Sequence, residues 1–351
     1  MRNNATVIHS TVAAAAFALT FAAGASAQSV TVASWGGSYQ AAQSKALFMP
    51  VAAAMGITIN EETYKGIGQV RTRVAANAVP WDIISTGSGG GARACVEEIL
   101  IPLDYNLIDV SNFVADTHLP CCVGSDVFAT VMAWNTDTYG DNGPQSWADF
   151  WDVQKFPGTR SIRGKMHGML EPALMADGVA PRDVYRVLDS EAGIKRALDK
   201  IRELKPHVAV WWSSGAQHAQ LMKDGEVDMT TGWNGRFDVA KADGAKVAYT
   251  YNQGLQDYDC FGIPKGAPNA GLAMQVIAEM SKAEFQVNLP KYITYGPTNA
   301  EVYQTGQVDE SVARQLPSHP SNARKLLPVS QEWYAKWEKI GSEMYQDMIT
   351  E

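Results

Sequence analysis

The sequence has little positive charge for its length. Its 351 residues include 29 Lys and Arg against 37 Asp and Glu, so the formal net charge at pH 7 is −8. Proteins that bind nucleic acid need clustered cationic side chains opposite the phosphates, and no basic stripe is visible here. The charge balance therefore argues against a nucleic-acid partner and permits a small cationic or zwitterionic one. With 46% hydrophobic residues, the chain can build the cores of the two domains that its length suggests.

A long apolar run is also missing. A membrane-spanning helix needs roughly 20 apolar residues, whereas the N-terminal run from Val12 to Ala23 is much shorter. It follows Arg2 and precedes the A-x-A motif Ala25-Ser26-Ala27, which is the order of a secretory signal peptide. We expect residues 1–27 to be removed after Ala27 and the remaining chain to be periplasmic.

Cysteine is scarce, with Cys95, Cys121, Cys122 and Cys260 as the full set. Export favours oxidation of such cysteines. Adjacent cysteines such as Cys121 and Cys122 rarely bond each other, because the geometry of that bond is strained. Cys95 lies in a predicted helix, and Cys121-Cys122 begins the next extended segment. A disulfide from Cys95 to either of them is one interpretation, and small buried thiols are the other.

Motifs of common exported enzymes are absent as well. The sequence contains no G-x-S-x-G and no H-E-x-x-H, so neither a serine hydrolase nor a catalytic zinc site has support. Gly87 to Ala92 fits G-x-G-x-x-A, but it follows a later strand, so we interpret it as a loop whose backbone N–H groups line a cleft. A glycosidase needs only two carboxylates close in space, so an exported hydrolase is the alternative function. We predict no catalytic residue, no metal and no cofactor.

Strands and helices alternate along the chain, which indicates an α/β architecture with a largely parallel sheet. A glycine-rich turn is predicted over 86–91, before a helix over 93–100. Ser330 is predicted to cap a C-terminal helix with one core-facing apolar stripe: Trp333, Trp337, Ile340 and Met344. Predicted strands cover 30–33, 57–62, 81–84, 208–211 and 227–233.

Aromatic residues occur where several predicted strands end. Trp35, Trp211 and Trp233 occupy such corners, and Tyr258 stands beside Asp259. In open α/β sheets, ligands bind outside the carboxyl ends of the strands. Aromatic rings near a carboxylate suit cation–π recognition of an amine. This pattern predicts a cleft that binds a small amine.

Seven segments occur in order along nearly all of the chain after residue 27: 34–39, 81–84, 146–151, 224–227, 232–236, 263–269 and 295–299. Together they resemble the extracellular solute-binding proteins of spermidine/putrescine-type ABC importers. The resemblance implies the two-lobed type II periplasmic binding protein fold, in which two crossovers join two α/β lobes, each a mainly parallel sheet flanked by helices. Lobe one would cover 28–133, lobe two 134–263, and 264–351 would return to lobe one with C-terminal helices against both lobes.

The resemblance also implies roles for individual residues. Trp35 and Trp233 match aromatic residues that stack on the ligand, and Asp259 matches the carboxylate that grips its amine. The other ligand-binding candidates lie at strand ends or near the cleft: Gly36, Thr86, Trp211, Arg236, Tyr258 and Tyr295. Alternatively, Asp259 and Arg236 pair with each other.

Two positions depart from the polyamine-binding pattern. Asp257 stands where a tryptophan is usual, and Arg236 stands where an acidic residue is frequent. A guanidinium repels a polyamine but can bind a carboxylate bidentately. A γ-aminobutyrate-like amino acid or a betaine therefore competes with spermidine and putrescine as the ligand. We expect a monomeric carrier that delivers its ligand to an ABC permease in the inner membrane.

Overall fold

The computed structural model describes residues 1–2, 28–114 and 116–351. The signal peptide predicted over residues 1–27 therefore lies outside the described residues, apart from its first two. Within the described ranges, no helix is both long enough and apolar enough to cross a membrane.

The described chain alternates between strands and helices from Ser29 onwards. The strands are β1 Ser29–Ser34, β2 Thr58–Thr63, β3 Ile83–Gly87, β4 His118–Leu119, β5 Cys122–Asn135, β6 Arg160–Arg163, β7 Val208–Trp212, β8 Met229–Trp233, β9 Val247–Gly262 and β10 Leu327–Pro328. The α-helices are α1 Gly37–Gln43, α2 Met49–Met55, α3 Ile67–Ala75, α4 Ser88–Val96, α5 Thr136–Tyr139, α6 Trp147–Trp151, α7 Leu170–Ala176, α8 Val184–Leu188, α9 Glu191–Leu204, α10 Gly215–Lys223, α11 Asn234–Ala242, α12 Ala270–Met280, α13 Ala283–Gln286, α14 Glu310–Ala313, α15 Pro320–Ala323 and α16 Gln331–Thr350. A π-helical segment, Ser44–Phe48, joins α1 to α2.

Two long antiparallel strands connect the two halves of the molecule. The sheet order is β2-β1-β3-β9-β5-β8-β6-β7. Strands β1, β2 and β3 pair in parallel at one end, and β6, β7 and β8 pair in parallel at the other. Strand β9 pairs with β3, while β5 pairs with β8, and β5 and β9 pair with each other between them. We call the half with β1–β3 lobe one and the half with β6–β8 lobe two, and this arrangement is the predicted two-lobed α/β class.

Each lobe has its own apolar core, and the C-terminal helix contacts both lobes. Helix α9 is amphipathic, and the predicted stripe on it is buried in lobe two: Ile194, Ala197, Leu198, Ile201 and Leu204. Helix α16 packs against α9 in lobe two and against α4 in lobe one. The hydroxyl of Ser330 accepts a hydrogen bond from the backbone N–H of Trp333, so the predicted N-cap of α16 is confirmed.

Two sequence predictions about these helices are wrong. The glycine-rich segment is not a turn, because α4 already begins at Ser88. Its glycines permit close packing: a Cβ on Gly91 would lie 2.9 Å from the sulfur of Cys260. On α16, Ile340 is exposed rather than core-facing, and the buried face is Trp333, Tyr334, Gly341, Tyr345 and Met348.

Two disulfides lie beside each other in lobe one. Cys95 of α4 is bonded to Cys121, with a Cα–Cα distance of 5.6 Å. Cys122 of β5 is bonded to Cys260 of β9, also with Cα atoms 5.6 Å apart. Cys121 is one of the two partners predicted for Cys95, but the bridge between Cys122 and Cys260 was not predicted. Its two strands are far apart in sequence and meet only in the assembled sheet.

The two bridges should contribute unequally to stability. They close loops of 26 and 138 residues, for which the chain-entropy treatment gives about 3.5 and about 5 kcal/mol. We expect the Cys122→Ala/Cys260→Ala variant to lose more unfolding free energy in urea than Cys95→Ala/Cys121→Ala. Four free thiols in the denatured, non-reduced protein, or the reverse order of stabilities, would contradict this expectation.

Candidate ligand-binding site

A cleft lies between the lobes, at the carboxyl ends of β1, β3, β6 and β8. It contains two adjoining cavities of about 400 Å³ and about 370 Å³. Both are lined by the same five side chains: Trp35, Lys65, Arg163, Lys165 and Trp233. We call the larger one the Asp259 chamber, because Asp259, Thr86 and His167 line it. The smaller one is the Arg236 chamber, which Arg236, Ser213 and Ser214 line.

The Asp259 chamber has a carboxylate held against an indole ring. Trp35 directly follows β1, and its Nε1 donates a hydrogen bond to Oδ1 of Asp259 at 3.3 Å. The ring of Tyr64 lies 5.1 Å from the Trp35 ring, and the Tyr64 hydroxyl donates to the backbone carbonyl of Ser85 at 2.7 Å. These contacts fix an aromatic wall beside the carboxylate.

Asp259 is buried among other acids. Its side chain is 7% exposed, and burial followed by the charge of Asp257 raises its pKa to about 7. Asp126, directly opposite on β5, has its pKa raised well above the usual range by burial and then by the charge of Asp259. The Tyr39 hydroxyl donates to Asp126 at 2.6 Å. Among these described groups, no cation forms an ion pair with Asp259.

The Arg236 chamber contains a buried guanidinium without a counter-charge. Arg236 is 2% exposed, and its Nε and Nη1 have no hydrogen-bond partner among the described residues. Nη2 donates to the carbonyl of Gly36 at 3.4 Å. Helix α10 approaches closely because it begins with Gly215, where a Cβ would lie 2.3 Å from Nε of Arg236. In the described chain, Arg236 and Asp259 form no salt bridge within 4.0 Å, so direct pairing does not explain either charge.

Trp233 packs against the core and lines both chambers, and a neutral histidine supports it. The Trp212 and His218 rings each lie 5.4 Å from the Trp233 ring. Nε2 of His218 accepts a hydrogen bond from the Trp233 backbone N–H at 3.4 Å. Burial, then the charges of Arg236 and Arg163, lower the pKa of His218 well below its usual range. His218 is therefore neutral and able to accept that bond.

The cleft residues that sequence reasoning missed include three cations and a histidine: Lys65, Arg163, Lys165 and His167. Arg163 is the last residue of β6, a short strand that the alternation did not reveal. Its Cζ lies 5.2 Å from the centre of the Trp233 ring. The available signal was a charged side chain directly before Gly164, at the carboxyl end of a strand. His167 Nε2 lies 2.8 Å from Oδ2 of Asp257, and Oδ1 of the same carboxylate accepts a hydrogen bond from the Ser88 hydroxyl.

The structure brings only part of the predicted set to the cleft. Trp35, Thr86, Trp233, Arg236 and Asp259 line a chamber, and Gly36 contacts Arg236 through its carbonyl. The other three candidates line neither chamber: Trp211, Tyr258 and Tyr295.

Each of those three has a structural reason to lie elsewhere. Trp211 faces Tyr345 of α16, with ring centres 6.4 Å apart. Neighbouring residues on a strand point to opposite faces, and Trp212 is buried in the core against Trp233. Tyr258 alternates with Asp257 and Asp259 and is buried in lobe one. Tyr295 packs beneath the site against Tyr39, 5.5 Å away.

No group of three or more His, Cys, Asp or Glu side chains in the described part of the chain is arranged to hold a metal ion. The cleft has a buried acid in the Asp259 chamber and a buried guanidinium in the Arg236 chamber, and three further cations and two indole rings line both chambers. This arrangement can bind a molecule that carries both signs of charge.

The raised pKa of Asp259 should reduce the stability of the empty protein as pH rises. The unfolded carboxyl ionises near pH 3.8 and the folded one near 7, so the stability linked to the proton is full at low pH and is lost as pH rises towards 7. Asn cannot ionise, so we expect Asp259→Asn to be more stable than the parent at pH 8, by about 1–4 kcal/mol. At pH 4 the difference should be small. Urea unfolding at the two pH values measures it, and a difference independent of pH would contradict the assignment.

Several known proteins are similar to this chain over most of its length. A family model described as "Bacterial extracellular solute-binding protein" matches residues 46–315. A gamma-aminobutyric acid-binding protein of Pseudomonas aeruginosa is 36% identical over 334 residues, which cover 94% of this chain and 93% of the relative. The structure of MotA from A. tumefaciens B6 in complex with glucopine has a TM-score of 0.89 and 40% identity, covering 92% of this chain and 100% of that one. AgtB from A. tumefaciens R10, in complex with agropinic acid, has a TM-score of 0.85 and 33% identity, covering 92% and 99%.

Proposed function

Because the chain belongs to the family of bacterial extracellular solute-binding proteins, we propose that its cleft carries a small zwitterionic amine. The ammonium group would bind Asp259, and a carboxylate would bind Arg236. Members of this family are the solute-binding components of ABC transporters and are not enzymes, so an exported hydrolase is not favoured. The observation that carries the proposal is the pair of buried, oppositely charged groups that do not pair with each other.

The ammonium end is supported by the surroundings of Asp259. A buried carboxylate without a counter-ion is unfavourable, and an ammonium group would supply the missing charge through short charge-assisted hydrogen bonds. The indole ring of Trp35 is held beside the same carboxylate, where it can cover the cationic end of the solute. An N–H donor satisfies a carboxylate better than the methyl groups of a betaine, so a primary or secondary amine is favoured.

The carboxylate end is supported by the free nitrogens of Arg236. A guanidinium binds a carboxylate with directed N–H donors, and Nε and Nη1 of this side chain are buried without partners among the described residues. A diamine would instead place a second cation against a buried guanidinium. A zwitterion is therefore favoured over spermidine or putrescine. The Pseudomonas relative named for γ-aminobutyrate has a ligand name of the same chemical class.

We further propose that the protein works as a monomer in the periplasm and passes the solute to an ABC permease in the inner membrane. The lobes, proposed as 28–133 with 264–351 and as 134–263, would close on the solute by a hinge motion. Strands β5 and β9 are the proposed hinge, because both run from one lobe into the other.

Replacing Arg236 should separate the two ligand classes. We expect Arg236→Gln to weaken γ-aminobutyrate binding at least tenfold, because an intact carboxylate partner is lost. Putrescine binding should be unchanged or stronger, because a repulsive cation is removed. Asp259→Asn should weaken both ligands, by about 2–5 kcal/mol. Calorimetric titration measures both ligands against each variant.

The matched control is Lys195→Gln, which removes one exposed cation far from the cleft. It should leave both affinities unchanged. Equal losses for the two ligand classes in Arg236→Gln would be evidence against a zwitterion.

Amine binding should also release a proton near neutral pH. The empty site has a pKa of about 7 at Asp259, and a bound ammonium favours the ionised carboxylate and lowers that pKa. Affinity for γ-aminobutyrate should therefore fall as pH drops below 7, by up to about tenfold per pH unit. Titration in buffers of different ionisation enthalpy would detect the proton, and Asp259→Asn should abolish its release. Binding without proton release at pH 6 would show that Asp259 does not hold the amine.

A further inference from the structure

Two arginines, Arg236 buried and Arg163 partly buried, lie near the same ring in the cleft. The Cζ atoms of Arg163 and Arg236 are 5.2 Å and 5.7 Å from the centre of the Trp233 ring. Arg163 donates from Nη1 to the carbonyl of His167 at 3.0 Å, but its Nε is buried without a partner, as are Nε and Nη1 of Arg236. No described carboxylate lies within 4.0 Å of either guanidinium, as the ion pairs of the cleft involve other groups.

The lining of the Arg236 chamber has one sign of charge. Lys65, Arg163, Lys165 and Arg236 all contribute to its wall, together with the hydroxyl residues Ser213 and Ser214. Among the described residues that line this chamber there is no Asp or Glu. This concentration of cations is unusual in a chain whose net charge is −8. These cations line a cavity of about 370 Å³, which has more room than a single carboxylate needs.

The cost of these charges depends on their burial. Lys65 and Lys165 are exposed, although partial burial and then the charge of Arg163 lower the pKa of Lys165. Arg236 is 2% exposed, and burial lowers the pKa of Arg163. One carboxylate that binds the free nitrogens of Arg236 would leave Nε of Arg163 without a partner.

We propose that the Arg236 chamber binds two anionic groups of one solute, so that the solute is an amine with two carboxylates at the end remote from its ammonium. Arg163 is then a second carboxylate-binding residue beside Arg236, and the solute is net anionic. This inference rests on the proposed function, because it assumes that the amine binds at Asp259. It adds to that function the charge and the approximate layout of the solute.

Three small amines form a matched test set. γ-Aminobutyrate has one carboxylate. (2-Aminoethyl)malonate is the same molecule with a second carboxylate on the carbon that already bears the first. Glutamate also carries two carboxylates and one ammonium. Its second carboxylate is on the carbon that bears the ammonium, where it would approach Asp259. Calorimetric titration of the full chain after signal-peptide removal, at one fixed ionic strength, compares their affinities.

We expect the malonate to bind at least tenfold more tightly than γ-aminobutyrate, and more tightly than glutamate. Arg163→Gln should remove that advantage, so that the malonate loses at least tenfold more affinity than γ-aminobutyrate does. Arg163→Lys should restore part of the advantage, which a purely structural role of the guanidinium would not explain. Thermal unfolding of each variant shows whether it is folded, and Lys195→Gln is the charge control.

Two results would overturn the inference. One is equal affinity for γ-aminobutyrate and the malonate. The other is an equal loss for both ligands in Arg163→Gln, which would mean that the two arginines share a single carboxylate. Either result leaves the proposed function intact if Asp259→Asn still weakens both ligands. If Asp259→Asn changes neither affinity, the proposed function itself fails.

Discussion

The pairing of β5 with β9 is the interaction on which the rest of the molecule depends. These antiparallel strands are the only part of the described sheet that pairs with strands of both lobes, so they set how the two halves face each other. They also carry Asp126 on one strand and Asp257 and Asp259 on the other. The Cys122–Cys260 disulfide joins them covalently in lobe one. The same strands therefore hold the fold together and place its acidic groups in the cleft.

The cleft keeps opposite charges apart at a cost in stability. Asp259 lies near the carboxylates of Asp126 and Asp257, and Trp35 donates a hydrogen bond to it. The Cζ atoms of Arg163 and Arg236 lie 5.2 Å and 5.7 Å from the centre of the Trp233 ring. A protein could lower its energy by pairing Asp259 with Arg236. This chain does not, because Arg236 is held between α10 and the Gly36 carbonyl. Unpaired buried charges at fixed positions are what recognition of a dipolar solute requires, since the solute supplies the missing partners.

Support for the charged groups extends into the hydrophobic core. Neutral His218 holds the backbone of Trp233, and Tyr39 donates its hydroxyl to Asp126. On the other side of the cleft, Tyr334 of α16 receives a hydrogen bond from Gly168, next to His167. The C-terminal helix thereby positions a cleft loop as well as packing against both lobes. Ligand contact and core packing use the same elements, so the site is built on strands and helices rather than on isolated loops.

The sequence by itself determined the alternation of strands and helices, the cap at Ser330, and the position of Trp35 and Trp233 where a strand ends. Those features depend on neighbours a few residues away, and periodicity and capping are local properties. Tertiary structure decided that Trp212 rather than Trp211 faces Arg163, because the register of β7 against β6 selects the face. It also decided that Cys260 meets Cys122, that Arg163 lies beside Trp233, and that Arg236 has no carboxylate partner. Each of these depends on segments that are distant in the chain and are brought together only when the sheet is assembled, so no local pattern encodes them.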